Sequence, residues 1–191
     1  MAETHAQVRE EELDAEREAR RTLALAQIRQ YPDPALRMRA YEVEEFDEDL
    51  ARLVERMTML MQEANGVGLA ATQVGVLRRL FVFRPEEDDE AVAVVNPRIE
   101  PRGQETEVGD EGCLSIQGVL IPVERPVLVA LTGRKADGGE YRRDLQGQGA
   151  RVAQHELDHL DGVLMLDRTT ADARKEAMAL LRPRAVAAGL R

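Results

Sequence analysis

Two of the three histidines in this chain stand four residues apart, in Gln154-His155-Glu156-Leu157-Asp158-His159. On a helix that spacing puts both imidazoles on one face, where they can share one divalent metal while the intervening glutamate handles the protons of a water there. The chemistry this predicts is metal-dependent hydrolysis. A surface helix that happens to carry two histidines is the plain alternative, and a chance match is uncommon in a chain so poor in histidine.

A catalytic metal takes three protein ligands and keeps a fourth position for water. The extended pattern HExxHxxGxxH holds through Gly162 but meets Met165 where its last histidine belongs, which disfavours that peptidase class. Glu176 is the one glutamate after His159, and its short basic segment makes it a weak third ligand. Upstream, Glu111-Gly112-Cys113-Leu114-Ser115 offers a thiolate beside a glycine that lets backbone approach closely. Cys113, the only cysteine, also reads as a small buried hydrophobe or as a nucleophile paired with His155. The neighbouring Asp110 and Glu111 weigh against the first, and an intact HExxH weighs against the second.

The elements that must position these groups are partly visible in the pattern. Leu50, Leu53, Val54, Met57, Leu60, Met61 and Ala64 recur at helical spacing over 47–64, and Asn65-Gly66 supplies a stop. Short β-rich runs follow at 80–83 and 91–95, then a strand at 126–131, the turn Asp137-Gly138-Gly139 and a polar strand at 140–145. The histidine helix is expected over about 149–160, and a terminal helix over 171–182 stops at Pro183. The stretch from Ser115 to Arg125 reads as a loop. These elements predict an α+β fold, with small antiparallel or mixed sheets packed around a central helix that carries the HExxH motif.

At 191 residues the chain suits one sizeable core with appendages. The first 24 residues alternate acids and bases with few apolar side chains, as in an exposed helix or a loose extension, so residues 1–24 are read as an N-terminal extension and 25–191 as the catalytic domain. With 36 acidic and 26 basic residues the net charge is -10, which argues against general binding to nucleic acid or anionic membranes. The polar N-terminus lacks the apolar core of a secretion signal and no run approaches a membrane span, so a reducing cytoplasm is the expected location.

Three blocks in order, Gly66-Val67-Gly68-Leu69-Ala70-Ala71-Thr72-Gln73, Glu111-Gly112-Cys113-Leu114-Ser115 and Gln154-His155-Glu156-Leu157-Asp158-His159-Leu160-Asp161-Gly162, resemble the motifs of the peptide deformylases. The likeness runs from about Tyr31 to Asp167. It implies removal of the formyl group from the N-terminal formylmethionine of newly made polypeptides, with Cys113, His155 and His159 as metal ligands. The metal implied is Fe(II), replaceable by nickel, cobalt or zinc; thiolate and imidazole suit all four. Glu156 would shuttle protons, while the Gln73 side-chain amide and the Leu114 backbone N–H would meet the oxyanion. The peptide would lie extended along Val67, Gly68 and Gly112, with Val152 near the methionine pocket, Arg151 at its rim, and Arg125 either paired with Glu111 or an ordinary surface arginine. A C-terminal segment with Arg168, Arg174, Lys175, Arg182, Arg184 and Arg191 suits either a solvated helix or docking on the ribosome. A zinc peptidase of another class and a deformylase-like protein without catalysis are the rival readings.

Overall fold

The computed structural model describes residues 2–181, with side chains from residue 13 onward. The chain opens with helix α1, Ala2–Leu25, whose Arg17–Asp14, Arg20–Glu16 and Arg21–Glu18 pairs run along an exposed surface until Ala24 and Leu25 dock into the core. Helix α2, Glu48–Glu63, begins where the Asp47 carboxylate accepts the Leu50 N–H at 2.9 Å, and Glu48 and Asp49 face the positive end of its dipole. Its apolar stripe buries Leu50, Met57, Leu60 and Met61, and Asn65, at φ 56, ends the run in left-handed conformation.

Five antiparallel strands form the main sheet in the order β1-β2-β3-β6-β7. They are β1 Gly68–Ala70, β2 Leu80–Phe83, β3 Val92–Pro101, β6 Leu128–Arg134 and β7 Glu140–Gln146. The expected hairpin is present: Gly138, at φ 83, turns β6 into β7 with the Lys135 N–H donating to the Gly139 carbonyl at 2.8 Å. β6 starts at Leu128 rather than 126, because its pairing partner Gln146 ends β7 at that level.

The largest departure from the sequence reading is a two-stranded ribbon of β4, Thr106–Cys113, and β5, Ile116–Pro126. The stretch read as a loop from Ser115 to Arg125 is therefore mostly strand. β4 escaped notice because Thr-Glu-Val-Gly-Asp-Glu-Gly-Cys has no apolar alternation, and Gly118 at φ 74 and Pro122 disguise β5. A proline is tolerated there since β5 pairs only with β4, leaving its other edge free of the ladder. The apolar face of β5, through Ile116, Val119, Ile121 and Val123, packs on Leu36, on the one-turn helix α4, Met165–Arg168, and on α5, Ala171–Leu181, through Ala177. The expected stop at Arg182-Pro183, and with it Arg184 and Arg191, lies outside the described residues.

Helix α3, Gly147–Leu160, runs against the main sheet. Ala150, Val152, Ala153 and Leu160 meet Phe81, Phe83, Leu131 and Leu145 there, and full burial of each large apolar side chain stabilises by about 1.5–3 kcal/mol. Met165, which interrupts the longer histidine pattern, is core, and Glu176 is exposed on α5. Among the described residues no helix is long and apolar enough to cross a membrane.

Candidate metal centre and cleft

α3 presents His155 and His159 one turn apart, with their Nε2 atoms 3.2 Å from each other. The ribbon brings the third group: Cys113 Sγ lies 3.2 Å from His159 Nε2, and the three ligand atoms all fall within 4.8 Å of one another. A tetrahedral cation with ordinary metal–nitrogen bonds would separate two imidazole nitrogens by about 3.3 Å, so the donors converge as a divalent transition metal requires. The set of one soft thiolate and two imidazoles fits such an ion. His159 Nδ1 is buried without a hydrogen-bond partner, while its backbone carbonyl accepts from the Thr72 hydroxyl at 3.1 Å.

His155 is oriented from behind. Its Nδ1 lies 2.9 Å from Glu111 Oε2, near the end of β4 and just before a register shift at Gly112 that re-aims the strand end. Glu111 also accepts both arms of the Arg125 guanidinium, at 2.9 and 3.0 Å, and one arm of Arg151 at 3.1 Å. Arg125 goes on to Asp158 at 2.6 Å, and Asp158 accepts Arg168 as well. Arg125 is thus a buried ion-pair partner, and its reading as a surface arginine is set aside. Burial alone would raise the Glu111 pKa, but His155 and Arg125 outweigh it and hold it at about 2. Burial opposes charge on His155 too, and hydrogen bonds to Cys113 and Glu111 outweigh it upward, whereas burial takes His159 down.

Glu156, next to the first histidine, points into the cleft beside Gly68. A Cβ on Gly68 would stand 2.3 Å from Glu156 Oε1, so only glycine leaves the carboxylate its place. Its other oxygen, Oε2, is buried with no protein partner. Burial pushes the Glu156 pKa up to about 7, with His155 opposing the rise. Gln73 is fixed at both ends: Oε1 accepts the Ala70 N–H at 2.8 Å, and Nε2 faces Ser115 Oγ at 3.1 Å and Cys113 Sγ at 3.6 Å. Its amide nitrogen therefore stands beside the Cys113 thiol.

A cleft of about 470 Å³ opens onto these groups and is lined by Val67, Gly68, Gln73, Gly112, Cys113, Leu114, His155 and Glu156. Of the residues expected to bind metal, act in catalysis or border the peptide, all line the cleft except His159, which lies one helical turn beneath it. Val119, Leu120 and Val152 add an apolar part. Arg151 lines it too, though its guanidinium is engaged with the carbonyls of Glu107, Gly109 and Val123 and so ties α3 to the ribbon. Sequence reasoning missed Asp158, Arg168, Thr72 and Ser115. Asp158 alone carried a signal, an acid three residues after His155 on a helix otherwise buried.

Residues 25–175 match the family described as polypeptide deformylase. Peptide deformylase 1 of Corynebacterium efficiens is 47% identical over 162 residues, spanning 84% of this chain and 96% of that protein. Peptide deformylase of Thermotoga maritima is 44% identical over 147 residues, 77% of this chain and 88% of that one. Among solved structures, the peptide deformylase of Synechococcus elongatus in complex with actinonin superposes with a TM-score of 0.76 at 38% identity, covering 80% of this chain and 85% of that chain.

Proposed function

The chain belongs to the polypeptide deformylase family and removes the formyl group from N-terminal formylmethionine, and we propose that Cys113, His155, His159, Glu156, Gln73 and Leu114 carry that reaction. The observation that supports this most is the convergence of one thiol and two imidazoles beside a buried glutamate oxygen with no protein partner, at the floor of one cleft.

Cys113, His155 and His159 would hold a divalent cation, which would supply Lewis-acid polarisation and acidify a water when bound. Glu156 takes the proton as a water adds to the formyl carbon, and its burial raises its pKa toward the range in which a carboxyl can serve first as base and then as acid. The Gln73 amide and the Leu114 N–H donate to the formyl oxygen as negative charge gathers on it. Glu156 then gives its proton to the departing amine as the C–N bond breaks, and formate leaves with the peptide freed. Val67, Gly68 and Gly112 border the extended peptide, and Val67, Val119, Leu120 and Val152 take the methionine side chain. Gln73→Ala is expected to lower turnover by about 10²–10³-fold with metal retained; full activity would remove Gln73 from the oxyanion site.

The resident metal on this reading is Fe(II), with zinc, nickel and cobalt as substitutes, and the protein works in the cytoplasm on nascent chains. Docking on the ribosome through the C-terminal helix is tested by co-sedimentation after reversing Arg174 and Lys175, both exposed on α5. The function itself is tested by anaerobic purification, metal analysis and formate release from formyl-Met peptides. Stoichiometric metal with formate release is expected; stoichiometric metal without formate would favour a deformylase-like protein that has lost catalysis.

A further inference from the structure

The region that matches the family begins at residue 25, yet the cleft is also lined by a residue that precedes it, Arg21. Arg21, Ala24, Leu25 and Ile28 recur at helical spacing, so they share one side of the chain as α1 ends. Ala24, Leu25 and Ile28 are buried with Leu60, Met61 and Leu69, which anchors this end of α1, and Leu25 lines the cleft beside Arg21. Residues 13–20 of α1 are exposed, whereas Arg21 is half-buried, with 38% of its side chain open to solvent.

The charges on the cleft lining are Arg21, Asp110, Glu111, Arg151, His155 and Glu156. Glu111 is committed to Arg125, Arg151 and His155, and Arg151 to Glu111 and three backbone carbonyls. His155 and Glu156 belong to the chemistry proposed above. Arg21 has, among the described residues, one acidic partner, Glu18 at 3.4 Å on its own helix and 68% exposed. Such a surface pair is weak and gives way readily to a better-placed carboxylate. Asp110, the other loose charge, is exposed on β4 with no ion-pair partner among the described residues, and solvent screens it more.

We infer that Arg21 is a specificity-determining residue that pairs with a carboxylate on the formylated peptide within the first three residues after formylmethionine. The inference rests on the deformylase reading. A guanidinium accepts a carboxylate in two parallel hydrogen bonds, and anchoring of its helix end lowers the ordering cost of making them. The group comes from a segment outside the family-matched region, so peptide preference can be set here without touching the metal cluster. The carboxylate of a nascent chain is an acidic side chain; in a short peptide it is equally the C-terminus.

The test measures kcat and KM on formyl-Met peptides, each made with an amidated and with a free-acid C-terminus, carrying Glu, Gln or Lys at each of the three following positions. Wild type, Arg21→Gln, Arg21→Glu and Arg20→Gln are compared, the last removing the same charge from the neighbouring exposed position. Wild type should favour Glu over Lys at one position by about fivefold, mainly through KM. Arg21→Gln should reduce the ratio to about twofold, Arg21→Glu should reverse it, and Arg20→Gln should leave it in place. A flat wild-type ratio, one that survives Arg21→Gln, or one that falls equally with Arg20→Gln overturns the inference while leaving deformylation standing. Response only to free-acid peptides overturns the side-chain assignment, and no formate from any peptide overturns the reading beneath it as well.

Discussion

The two strands that border the cleft are held by different forces. From Gly68 to Val74, β1 and the turn after it are buried without interruption, with Leu69, Ala71 and Val74 packed in the apolar core. β4 has one buried residue, Glu111, and it is a carboxylate gripped by Arg125, Arg151 and His155. The first strand places Gly68 and Gln73; the second carries Cys113 and orients His155. Packing fixes volume and ion pairs fix direction. The β1 side should therefore be sensitive to added atoms and the β4 side to lost charge partners.

Gly68→Ala presses hardest on the first half of that contrast. The new Cβ must displace the Glu156 carboxylate, so activity should fall by about 10²–10⁴-fold, the range a general base contributes, while thermal stability changes little. Retained activity would mean that Glu156 has room the packing does not suggest. On the β4 side, Arg125→Met takes from Glu111 its two-armed partner and leaves Asp158 with Arg168 alone, and the loss of stability expected in chemical denaturation is about 3 kcal/mol, the lower end for breaking a buried pair. A loss below about 1 kcal/mol, the size of a surface pair, would show that β4 is held by packing after all.

A smaller effect tests the same contrast away from the cleft. Asp167 pairs with Arg37 and accepts the Leu164 N–H at 2.9 Å. Partial burial would raise its pKa, and these two partners outweigh it and hold it below the ordinary 3.8. A carboxylate lowered on folding contributes stability above its unfolded pKa and loses it as pH falls through the folded one. Asp167→Asn should therefore cost about 1 kcal/mol at pH 7, with the gap from wild type closing below about pH 4. An equal gap at pH 7 and pH 3 would assign the effect to packing.

The same contrast explains what could be read from the sequence. α2 and α3 were legible because apolar side chains recur at helical spacing against a core, and β2 because it is a short apolar run. β4 was illegible because charges and backbone pairing hold it, and neither leaves a hydrophobic period. The candidate site was legible in its ligands, since His155, His159 and Cys113 are rare residue types in this chain. Its supports were not: Asp158, Arg168 and Arg21 are common residues in a charge-rich sequence, and only three-dimensional proximity sets them apart.

In the proposed mechanism Glu156 moves the proton while Cys113, His155 and His159 hold the metal. Glu156→Gln keeps the side chain's shape and removes the base, so formate release and bound metal measured on the same preparation separate the two roles. Turnover should fall by about 10²–10⁴-fold with metal still stoichiometric. Near-wild-type formate release from the metal-loaded variant would contradict that mechanism.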